Sequence, residues 1–134
     1  MREILFRGKR VDNGEWEQGD LDRGLFANID FISYFKNIGE RVSYEIIPET
    51  VGQYTGLPDK NGTKIFEGDI VIDKYGKEKF GFVGVVIYNP ALTQYQIYSD
   101  KQPDYVVNLG SRRDSVKIIG NIHDNLELLK GGAE

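Results

Sequence analysis

The residues of this chain that could do chemistry are few and scattered. There is one histidine, His123, with five serines and no cysteine. A serine relay would need His123 beside a serine and a buried carboxylate. No Gly-x-Ser-x-Gly elbow supplies that serine, so an exposed or helix-capping histidine is the favoured reading. The lack of cysteine removes disulfides, thiolate metal sites and thiol nucleophiles. Acids gather at Glu15, Glu17, Asp20 and Asp22. Two carboxylates on one face could hold a divalent metal or exchange protons. Strand alternation sets Asp20 and Asp22 on one face and Glu15 and Glu17 on the other, unless Gly19 breaks the phase. A solvated strand face accounts for these acids more simply. In Glu67-Gly68-Asp69 the carboxylates suit local backbone hydrogen bonds in a turn.

Cations offer the best remaining site. Arg112 and Arg113 sit side by side in a polar stretch, with Lys117 just beyond. These three are the expected contacts for an anion or a nucleic-acid phosphate. Tyr98 and Tyr105 lie nearby in sequence, and small β-barrels stack bases on aromatics beside cations. Asp100, Asp104 and Asp114 are interleaved, which favours a solvated mixed-charge surface and makes nucleic acid the alternative partner. The P-loop, the dinucleotide glycine fingerprint and the zincin motif are all absent. Gly81-Phe82-Val83-Gly84 has the spacing of an RNA-clamping loop, but it lies in an apolar run where such a loop would be polar. No catalytic residue, metal or cofactor is expected.

The composition agrees. Net charge is -4, from 17 basic and 21 acidic side chains, mixed through both halves, which is not the footprint of a strongly basic nucleic-acid binder. Hydrophobic content of 40% in 134 residues is enough for one compact domain or two small β subdomains. The first twenty residues are charged and contain no apolar core of a signal peptide. No apolar run reaches the length of a membrane span. A cytoplasmic location without a membrane partner is expected.

The elements that must position these side chains read as short strands. Arg2–Arg7, Glu15–Leu21, Val42–Ile47, Ile70–Ile72, Gln94–Tyr98, Tyr105–Leu109 and Ser115–Ile122 fit strands, and Thr50–Tyr54 fits a short strand or a bend interrupted by Gly52. Leu25–Ile38 fits strand or loop. Phe80–Tyr88 is the most apolar run and should be central, with Gly81 and Gly84 marking strong coiling or close backbone approach. Asp12-Asn13-Gly14, Pro58-Asp59, Asn61-Gly62 and Asn89-Pro90 are turn signals. Lys74–Lys79 reads as a charged hairpin tip, and Asp124–Lys130 as a short helix capped by Asp124 or Asn125. Trp16 is expected to anchor the core. Trp16-Glu17-Gln18-Gly19-Asp20-Leu21 and Phe66-Glu67-Gly68-Asp69-Ile70 look alike, which shared turn chemistry explains more simply than duplication. The reading is mainly β: a small Src-homology-type β-barrel in the C-terminal half, additional N-terminal β strands and a short C-terminal helix. The expected boundaries are an N-terminal subdomain over 1–60, the barrel over 61–130 and a tail over 131–134.

Three blocks carry a family resemblance. Pro48–Val71 (PETVGQYTGLPDKNGTKIFEGDIV), Val116–Leu129 (VKIIGNIHDNLELL) and the opening REILFRGKRVDNGEWEQGDL closely resemble the YopX family of phage and prophage proteins, in the family's order. The resemblance implies a mostly β protein with a small Src-homology-type barrel, a phage or prophage origin and a bacterial host cytoplasm. It transfers no catalytic or binding residue. The leading expectation is a non-enzymatic accessory module binding a host or phage protein. The alternatives are a nucleic-acid-binding small barrel and a metal-dependent hydrolase using the acid cluster. Open β edges also favour a homo-oligomer.

Overall fold

The computed structural model describes residues 3–24, 29–74 and 81–130. It is mainly β, with two antiparallel sheets and one short C-terminal helix. The contacts divide the chain into two compact units, Met1–Tyr54 and Thr55–Glu134.

The first unit is a meander. Its strands are β1 (Phe6–Lys9), β2 (Trp16–Arg23), β3 (Asp30–Asn37) and β4 (Glu40–Ile46), in the order β4-β3-β2-β1, and the first residues of β5 (Gly52–Pro58) pair with the far side of β1. Asn13-Gly14 makes the expected first turn. Gly14 has φ +72° and the Asn13 side chain accepts from the Glu15 N–H. The strand part of Leu25–Ile38 is β3; residues 25–28 lie outside the described residues.

The meander curls on itself. A bridge joins Arg10 to Ile46, with the Val11 N–H donating to Glu45 O and the Ile47 N–H to Lys9 O. The curl leaves no room at Gly8, where a Cβ would collide with the Ile46 side chain. Ile32 and Ile46 are fully buried on this inner face. Thr50, in the 3-10 turn Pro48–Thr50 that follows β4, accepts from the Lys9 N–H at 2.9 Å. Alternation from Gly8 puts Lys9 and its partner Trp16 on the opposite face. Trp16 is thus no core anchor; it is half-buried, with the Arg7 guanidinium 4.7 Å and the Lys9 amine 5.9 Å from its ring centroid. The two cations lie against the ring on that outer face.

In the second unit the last residues of β5 pair with β6 (Lys64–Phe66), and a five-stranded sheet follows. Its strands are β7 (Asp69–Asp73), β8 (Phe82–Asn89), β9 (Gln94–Tyr98), β10 (Val107–Asn108) and β11 (Val116–Asn121), in the order β10-β9-β8-β7-β11. β8 is central, as its apolar run requires, and Gly84 meets the Tyr98 carbonyl. Ile65, Val71, Phe82, Val86, Ile97, Leu109 and Val116 form the core. The closed Src-homology-type barrel is not reached: among the described residues no backbone pairing joins β10 to β11. β10 is only two residues long and runs straight into the 3-10 turn Leu109–Arg112, so it has few groups left for a further ladder. The Lys74–Lys79 hairpin tip lies outside the described residues from 75 onward, as does the tail over 131–134.

Asp59 stitches this unit. It is 6% exposed, its Oδ1 accepts from the Asn61 and Thr63 N–H groups and its Oδ2 from the Ile118 N–H. A turn residue thereby also pins β11, fifty-nine positions away. The terminal helix α1 (Glu127–Lys130) is shorter than expected. The Asn125 side chain accepts from the Asn121 N–H at the end of β11.

Candidate functional site

Arg112 ends a 3-10 turn that Asn108 starts, its Oδ1 accepting from the Ser111 N–H at 3.2 Å. That turn aims the guanidinium at Asp73, the last residue of β7. Arg112 Nε donates to Asp73 Oδ2 at 2.6 Å, and Ser115 Oγ donates to Oδ1 at 2.8 Å. Asp73 is completely buried, whereas 29% of the Arg112 side chain is exposed. Hydrogen bonding to Asp73 pushes the Arg112 pKa up despite its partial burial. Arg112 Nη2 is buried with no hydrogen-bond partner among the described residues.

The three expected anion contacts do not act as one group. Arg113 and Lys117 are exposed, but Arg112 is committed to Asp73. On β11, Val116 pairs with Asp73 and Lys117 with Ile72, so Lys117 projects from the opposite face of the sheet.

The acid cluster is likewise divided. β2 runs unbroken through Gly19, so the phase holds. Glu17 lies on the inner face and accepts from Arg10 at 3.3 Å; Asp20 lies on the outer face and accepts from Arg41 at 3.3 Å. Among the described residues no three of His, Asp and Glu are grouped to hold a metal ion. Asp69 accepts from the Phe66 N–H at 2.7 Å, the local turn bond expected of it. The two similar segments differ: Gly19 sits within a strand, Gly68 in a turn with φ +88°. His123 is exposed, and its N–H donates to Asn121 Oδ1.

Sequence reasoning missed the constellation at the curl of the first unit. Arg10 stacks on the Tyr44 ring, 3.9 Å from its centroid, and makes a two-pronged ion pair with Asp12, Nε to Oδ1 at 2.9 Å and Nη2 to Oδ2 at 2.7 Å. Tyr34 lies 6.2 Å from Tyr44 between ring centroids. Hydrogen bonding to Glu17, then burial, pushes its phenol up to about 12. Arg10 holds the Asp12 carboxyl below its ordinary value. A depressed carboxyl stabilises the fold above its unfolded value near 3.8, and that contribution is lost as pH falls through the lower folded value. The melting-temperature difference between wild type and Asp12→Asn is expected to be constant from pH 7 to about 4 and to close below it. A difference unchanged at pH 2 would remove the ion pair as its source.

The other missed feature is the tip of the β3–β4 hairpin. Phe35 is 64% exposed and Ile38 fully exposed. An isoleucine between Asn37 and Gly39, where turn chemistry calls for a polar residue, was the available signal.

The family model described as YopX protein matches residues 5–130. The chain belongs to the YopX family. Among solved structures, this YopX-family chain is similar to the crystal structure of protein EF1440 from Enterococcus faecalis, at 21% identity and a TM-score of 0.54, covering 96% of this chain and 99% of that one. That likeness shows the fold alone. No curated protein matches the chain. No helix among its described residues is long and apolar enough to cross a membrane.

Proposed function

We propose that this chain is a phage- or prophage-encoded accessory module that binds protein in the bacterial cytoplasm and is not an enzyme. The observation that carries this reading is the β3–β4 hairpin, which offers Phe35 and Ile38 to solvent next to a strand edge that, among the described residues, is unpaired over part of its length. Exposed large apolar side chains beside free backbone donors and acceptors suit strand addition by a partner. The ion pairs of Glu17 with Arg10 and Asp20 with Arg41 separate the acids that the hydrolase reading would need together. The nucleic-acid alternative rests on the exposure of Arg113 and Lys117, and it requires binding that weakens steeply with salt. The test is capture of partners from bacterial lysate by the tagged chain, with and without nuclease. A partner retained after nuclease and lost with Phe35→Ser/Ile38→Ser supports the protein-binding reading. A partner released by nuclease and lost with Arg113→Glu/Lys117→Glu replaces it with the alternative.

A further inference from the structure

The edge of β4 has a pattern that fits a second copy of this chain. Outward backbone groups alternate along an antiparallel strand. Glu45 O accepts from Val11 and the Ile47 N–H donates to Lys9, so the odd-numbered residues of β4 point their N–H and C=O away from β3. Arg41 and Ser43 therefore present outward groups that no backbone partner takes among the described residues. The free stretch stops where Arg10 and Val11 zip onto Glu45–Ile47.

We propose that two copies pair antiparallel through this stretch, about a two-fold axis at Val42. Arg41 of each copy then exchanges both backbone hydrogen bonds with Ser43 of the other, and the two Val42 side chains lie side by side. Two features of the sequence favour a copy over an unrelated strand. The edge reads Glu40-Arg41-Val42-Ser43-Tyr44-Glu45, which sets Arg41 opposite Ser43 and diagonal to both Glu45 and Arg41 of the second copy, so no like charges face each other directly. The same register brings the fully exposed Ile38 of each hairpin tip up to Val11 of the other copy, which is 53% exposed where the free edge ends. The exposed apolar surface is thus self-complementary, and the charges along the edge do not oppose the pairing. The inference rests on the protein-binding reading and names one partner for it.

The chain has no cysteine, so Val42→Cys introduces a single thiol. Facing residues of a non-hydrogen-bonded antiparallel pair have Cα atoms about 4.5 Å apart, within the range of a disulfide. Oxidation is expected to give a covalent dimer of Val42→Cys, about ten-fold more than of Glu40→Cys on the same strand. Adding Ile38→Asp, at a fully exposed position, should cut the cross-linked fraction several-fold without changing the melting temperature. Equal cross-linking of the two cysteine variants, or none at Val42, overturns the proposal. Light scattering of the wild type runs alongside. A monomer at every concentration also overturns it, while leaving binding of unlike proteins intact. An oligomer that Val42→Cys fails to lock places the contact elsewhere and sinks this register.

Discussion

Arg112→Ala is expected to destabilise the protein by about 3–5 kcal/mol, because it strips the guanidinium from a carboxylate that has no access to water. Asp73 is wholly buried and takes Arg112 Nε at 2.6 Å. Ser115 remains, but a neutral hydroxyl offsets little of a buried charge. The neighbouring Arg113→Ala removes an exposed cation and should stay within about 0.5 kcal/mol of wild type. Urea unfolding of the two variants separates two roles that the adjacent arginines share on paper. If Arg112 served chiefly as an anion ligand at the surface, both variants would unfold near the wild-type midpoint. Replacing both partners of the buried pair, as Asp73→Leu/Arg112→Met, should recover most of the loss, since apolar groups of similar volume carry no desolvation cost.

Gly8→Val is expected to cost about 1–3 kcal/mol through overpacking. Gly8 is required by proximity: the Ile46 side chain occupies the space that any Cβ would take, and Ile46 is 1% exposed in the inner face. Ile46→Ala alone should cost about 2–5 kcal/mol as a cavity. The double variant puts the added methyls into that cavity. Its loss should therefore fall short of the sum by about 0.5–3 kcal/mol in a double-mutant cycle. Strict additivity would mean that the two side chains do not meet, and the curl of the first unit would need another explanation.

Local chemistry was legible and distant pairing was not. The Asn13-Gly14 turn, the strand Gln94–Tyr98 and the central run of β8 follow from turn residues and apolar pattern, which act over a few positions. β5 runs through Gly56 at φ +89° to Pro58, where the sequence offers a turn signal at Pro58-Asp59. The ladder there overrides two local breakers. The bridge from Arg10 to Ile46 joins residues thirty-six apart and leaves no periodic trace. Neither does the pull of Asp73 on Arg112, thirty-nine positions on. Trp16 was misread for a related reason: its ring is large enough for a core, but the face it occupies is decided by Gly8 on the adjacent strand. The site residues inherit this limit, because a charge pattern in sequence does not say which cation faces a buried acid.

The bridge at Arg10 also sets an order of events during synthesis. β1 leaves the ribosome first, but its far end finds its seam only once Ile47 has emerged. The hairpins β1–β2 and β3–β4 close short loops and can form as they appear, whereas the seam must close a much longer one. Until then the edge of β1 at Lys9–Val11 is uncovered on a nascent chain. Translation speed across Asp30–Ile47 therefore governs how long that edge stays open, and slow codons there would lengthen the exposure while changing no residue of the finished protein.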